Sequence, residues 1–64
     1  MKNRHHRKCK VNGGTYAKGN ISRVKMDDHF AFHLLFGTRD AYGIAKILNE
    51  TWIDRDFELI VRRK

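Results

Sequence analysis

Residues 5–33 contain His5-His6-Arg7-Lys8-Cys9-Lys10-Val11-Asn12-Gly13-Gly14, then Asn20-Ile21-Ser22-Arg23-Val24-Lys25, then Asp27-Asp28-His29-Phe30-Ala31-Phe32-His33. Ile21 to Lys25 intersperses apolar with polar residues and includes β-branched ones, which marks a short strand candidate. A second short strand is expected before the glycines, around Arg7 to Lys10. The tract Val11 to Asn20 holds three glycines and two asparagines. It reads as a turn-rich connection with positions at positive φ. The pair would form a loose hairpin closed by a long loop. Asp27 or Asp28 is expected to cap a helix from about Asp28 to Phe36, its charge set against the first amides. Gly37 is placed to end that helix.

All four histidines of the chain lie in this region, as His5-His6 and as His29 and His33. The i, i+4 spacing of His29 and His33 puts both imidazoles on one helix face, one turn apart, which suits a single metal ion. Adjacent residues of a strand point to opposite faces. His5 and His6 therefore do not easily join the same metal, and one is left for acid–base work. Imidazoles without thiolates suit zinc, nickel, cobalt or copper, and admit magnesium or manganese where water completes the shell.

Beyond Gly37, Thr38 or Asp40 is expected to cap a second helix, roughly Ala41 to Thr51. Ile44, Ile47, Leu48 and Trp52 recur at helical spacing, and Gly43 weakens that helix by about 1 kcal/mol relative to alanine. Asp56 to Arg62 has the composition of a strand or extended segment. Phe30, Phe32, Leu34, Leu35 and Phe36 run almost all round the first helix, so they read as core. The second helix and C-terminal segment, or a partner chain, would cover them. Trp52 and Phe57 read as packing anchors. The expected class is α+β, a single domain over 1–64 with its motif at 5–33 and a bracing helix and C-terminal segment at 38–61.

A chain of 64 residues forms one domain at most. At this size a core alone rarely supplies more than ~3–5 kcal/mol, and a staple is usual. A single cysteine, Cys9, excludes an internal disulfide. A metal, a partner subunit or unusually good packing must serve instead. Residues 1–25 carry eight Lys/Arg and no acid, whereas residues 26–64 carry six Lys/Arg and seven Asp/Glu, so charges of +8 and −1 make the net +7. Positive charge gathered in one half is an electrostatic footprint for a polyanion. The basic half has no amphipathic helix suited to a lipid surface. No apolar run approaches a membrane span. The basic start has no apolar run behind it, so no signal peptide is expected, and the cytoplasm is the default compartment.

The spacing of His5-His6, Gly13-Gly14, Asn20-Ile21, His29 and His33 resembles the HNH motif of the His-Me finger nucleases, the ββα-metal fold. The resemblance covers residues 5–33, and the double histidine is most similar to the colicin DNase branch. The resemblance implies that His6 is the general base that deprotonates a water. It implies that His5, His29 and His33 hold one divalent metal, whether zinc, magnesium, manganese or nickel. Asn20 would hydrogen-bond the loop backbone and so hold His6 in place, and Gly13 and Gly14 would shape the loop. The chain departs from the family pattern where Cys9 replaces a usual proline, and in lacking Cys-x-x-Cys knuckles for a structural zinc.

Phosphodiester hydrolysis needs a nucleophile and neutralised charge on the phosphate and the leaving oxygen. An imidazole titrating near neutrality supplies the first and a metal the second. Arg4, Arg7, Lys8, Lys10 and Arg23 are suited to clamp flanking phosphates without reading sequence. The expectation is a DNA endonuclease of little sequence preference, with RNA as the other substrate. The alternatives are a non-catalytic nucleic-acid-binding module that keeps the metal as a staple, and an interaction protein, for example a homodimer, built on the aromatic helix.

Overall fold

The computed structural model describes residues 2–64. The class is α+β. Strand β1, Lys2–His6, pairs antiparallel with β2, Ile21–Lys25, and helix α1, Met26–Phe36, follows at once. Helix α2, Ala41–Ile47, continues into a single π-helical turn at Leu48–Trp52. The register sets Lys2 opposite Lys25, Arg4 opposite Arg23, and His6 opposite Ile21.

The first strand is displaced from its expected place. It occupies Lys2–His6, and Arg7–Lys10 instead leaves the sheet and enters a 3-10 turn at Lys10–Asn12. A strand this polar is stable because only one face of a two-stranded antiparallel sheet is covered. Asn3 and His5 face α1, and Lys2 and Arg4 take the open face.

Strand β2 spans the expected residues. The cap of α1 does not: Lys25, the last strand residue, stands at the N-cap without a side-chain hydrogen bond. No loop separates β2 from α1, so Asp27 and Asp28 fall in the first turn. There they oppose the helix dipole without capping it. Gly37 ends the helix at φ 59°, with its N–H donating to the His33 carbonyl. Asp40 caps α2 by accepting from the Gly43 N–H at 3.0 Å.

The loop between the strands explains its two glycines differently. Gly13 sits at φ 92°, the left-handed region. At Gly14 a Cβ would run into the Lys8 carbonyl, so hydrogen is all that fits.

The expected core does not form. No described residue is fully buried; Phe30 is 61% and Leu34 87% exposed, while Phe32 and Phe36 are half-buried. The radius of gyration is 12.8 Å, against about 10.7 Å for a compact chain of this length. Neither α2 nor the tail closes over the outer face of α1. Trp52 and Phe57, read as packing anchors, are 58% and 71% exposed. The C-terminal segment joins no sheet. Instead the Asn49 side chain accepts from the Leu59 N–H at 2.8 Å and donates to the Leu59 carbonyl at 2.9 Å. No described helix is long and apolar enough to cross a membrane.

Candidate functional site

Helix α1 lies against the face of the hairpin that carries Asn3 and His5. The His5 ring meets Phe32 edge-on at 4.6 Å, with His29 and His33 at 5.3 and 6.2 Å between centroids. Helical spacing stacks His29 and His33, whose Nε2 atoms are 3.0 Å apart. One nitrogen from each of His5, His29 and His33 falls within 4.8 Å of the others. Tetrahedral ligands at ~2.0–2.1 Å from an ion lie about 3.4 Å from one another. The three imidazoles are thus close enough together that they could hold one metal ion.

The outward nitrogens are also held. His33 Nδ1 lies 3.2 Å from the Gly37 carbonyl, and His29 Nδ1 lies 3.2 Å from Asn3 Nδ2. Such contacts set which ring nitrogen carries the proton and which is free to ligate. Burial, then the neighbouring His29, His33, Arg7 and His6, lower the pKa of His5. Each of these effects favours the neutral imidazole, the form that binds metal.

His6 closes β1 with its ring turned elsewhere, edge-on to Tyr16 at 4.6 Å. Lys10 Nζ sits 4.5 Å from the centroid of the same Tyr16 ring. The Nε2 of His6 is buried and has no hydrogen-bond partner among the described residues. His6 nevertheless lines the same cleft of about 350 Å³ as His5, His29 and His33, with Arg4, Cys9, Lys10 and Thr38 at its walls. Strand alternation separates the two rings, but the chain leaves the sheet at Arg7, so both reach one cleft.

Asn20 holds that exit. Its Oδ1 accepts from the Lys8 N–H at 2.7 Å; its Nδ2 donates to the Lys8 carbonyl at 3.1 Å and to the Thr15 carbonyl at 2.8 Å. The Asn20 backbone carbonyl accepts from the Arg7 N–H at 2.7 Å. Asn12 ties the loop to the α1–α2 connection through the Thr38 carbonyl at 2.7 Å.

The cations divide among three places. Arg4 and Lys10 line the histidine cleft, Arg7 and Lys8 line a neighbouring cleft with Arg39 and Arg63, and Arg23 stands beside Arg4 on the open sheet face. Sequence reasoning missed Asn3 and Tyr16. Asn3 shares the face of His5 only because β1 is Lys2–His6, where no strand was expected; nothing in the spacing marks Tyr16. Comparison with family models, with curated proteins and with solved structures finds no match to this chain.

Proposed function

We propose that this chain is a metal-dependent endonuclease of the His-Me finger type that hydrolyses phosphodiester bonds in DNA with little sequence preference. The observation that carries the reading is one cleft holding three convergent imidazoles together with a fourth, His6, whose buried Nε2 has no partner among the described residues.

In this reading His5, His29 and His33 hold one divalent ion. When bound, that ion supplies Lewis-acid stabilisation of charge on the phosphate and on the departing 3′ oxygen. His6 Nε2 takes a proton from water, whose oxygen attacks phosphorus as the bond to the 3′ oxygen breaks. Asn20 fixes the strand exit and with it the His6 ring. Arg4, Arg7, Lys8, Lys10 and Arg23 bind flanking phosphates and carry no sequence information.

The test is nicking of supercoiled plasmid with purified protein, with metal, with excess chelator, and after metal is restored. Metal-dependent nicking is expected. Its absence with every divalent ion tried would leave the binding-module alternative, in which the ion is only a staple. RNA cleavage in the same assay would widen the substrate class.

The exposure of Phe30 and Leu34 favours a second role for α1 as a contact surface for another chain, a second copy included. Light scattering across a concentration series tests the homodimer.

A further inference from the structure

The hairpin has a second face, turned away from α1. Alternation along the strands puts Lys2 and Arg4 of β1 there with Arg23 and Lys25 of β2, and all four are exposed. The register sets lysine opposite lysine and arginine opposite arginine. Directly opposed side chains on one face have Cβ atoms about 4.5–5.5 Å apart, and like charges there destabilise a sheet. Neither strand contains an acid; Asp27, in the first turn of α1, borders only the outer end beside Lys2 and Lys25. A groove of about 450 Å³ runs along the array, lined by Lys2, Asn3, Arg4 and Arg23.

We propose that Lys2 and Lys25 extend the phosphate-binding surface of Arg4 and Arg23 along this face, away from the histidine cleft, so that the face grips the phosphate backbone of a DNA duplex without metal and without regard to sequence. The inference rests on the reading that the chain binds nucleic acid and not on its cutting it. Two opposed like-charged pairs weaken the hairpin that presents them, and a row of phosphates relieves that repulsion. Cations two residues apart on a strand are about 6.7 Å apart, which gives a repeating array instead of a pocket for one anion. The other pair that alternation puts on this face, His6 and Ile21, stands at its inner end and is half-buried, so the exposed part of the face is cationic and offers little apolar anchor to a lipid surface. Arg4 lines both this groove and the histidine cleft, so the two surfaces are continuous.

The experiment measures affinity for a labelled duplex against salt, with excess chelator, for the full chain and two double variants. One is K2T/K25T; the other, K18T/K46T, removes the same charge from exposed positions outside the face. K2T/K25T is expected to lower affinity and flatten the slope of log K against log salt by about 1.8, the effect of two lost phosphate contacts. Its melting temperature without DNA should hold or rise, since an opposed pair is gone and threonine suits a strand. K18T/K46T should keep the parent slope. Equal slopes for the two variants would overturn the proposal, as would parent-like binding by K2T/K25T. Binding of polyglutamate or phosphatidylserine vesicles as tight as that of duplex, with the same dependence on Lys2 and Lys25, would overturn the assignment to DNA. A parent chain that binds no duplex defeats this proposal and the nuclease reading together. Loss of cleavage alone, with the slopes as expected, defeats only the latter.

Discussion

Asn20 and Lys8 are joined by a reciprocal pair of hydrogen bonds: the Lys8 N–H donates to Asn20 Oδ1 at 2.7 Å, and Asn20 Nδ2 donates to the Lys8 carbonyl at 3.1 Å. An amide is the one short side chain that both donates and accepts from a planar head, so it substitutes for the strand partner that Lys8 has lost. Asn20→Ala removes these bonds and the one to Thr15. At ~0.5–1.5 kcal/mol net for each bond, about 2 kcal/mol of stability is expected to go. Asn20→Asp keeps only the acceptor and sets a carboxylate against two carbonyls, so it should cost at least as much. Denaturant unfolding measures both. A loss under 0.5 kcal/mol in Asn20→Ala would show that the loop holds its shape without this residue.

The histidine set is expected to separate by role. His6→Ala leaves the three convergent imidazoles intact. Metal content, melting temperature and DNA affinity should stay near those of the parent, and cleavage should fall by ~10²–10⁴-fold. If His33 is a ligand as proposed, His33→Ala should lower metal occupancy, stability and cleavage together. Elemental analysis beside plasmid nicking reads both. If His6→Ala loses the metal while His5→Ala keeps it and stops cutting, the two roles are exchanged.

What was legible in the sequence follows the reach of the interactions. The i, i+4 spacing of His29 and His33 is local geometry and needs only a helix to act. Strand β2 carries its own signal in the β-branched Ile21 and Val24. Strand β1 was misplaced because Lys2, Arg4 and His5 show no apolar alternation; its register is imposed by β2, 15 residues after its end. The contact of Asn3 with His29 spans 26 residues and is invisible to any local pattern. Gly14 read as a turn residue, yet its constraint is the approach of the Lys8 carbonyl. The core was overread for the opposite reason. Phe30 and Leu34 are apolar enough to predict burial, but burial needs a covering element, and α2 leaves both exposed.

Asn3 makes a prediction about metal affinity. With Asn3 Nδ2 toward His29 Nδ1, that nitrogen accepts and the proton sits on Nε2, where an ion would bind. Metal binding then requires the amide to turn its oxygen to an Nδ1–H. Asn3→Asp presents an acceptor in either orientation and should raise metal affinity. Asn3→Leu should lower it, by ~10–100-fold, the usual effect of losing the partner of a ligating histidine. Competition with a chromogenic chelator measures both, and identical affinities in the two variants would contradict the coupling.

Chelation and acid should act on stability in the same direction. With no described residue fully buried to hold the fold, a metal bridging β1 to α1 would contribute directly to folding. Chelator should lower the melting temperature, and zinc or nickel should restore it; an unchanged melt with the metal-free state confirmed would defeat the staple. The proton acts through His5, whose pKa is lowered first by burial and then by the charges of His29, His33, Arg7 and His6. A lowered pKa means the folded chain binds a proton at His5 less readily than the unfolded chain does. Stability is therefore full above the ordinary imidazole value of roughly 6.5 and declines as pH falls through it. His5→Phe preserves an aromatic ring against Phe32 and removes the titrating group. In excess chelator its melting temperature should vary less between pH 7.5 and 5.5 than that of the parent. Equal slopes for parent and variant across that window would place the acid sensitivity elsewhere in the chain.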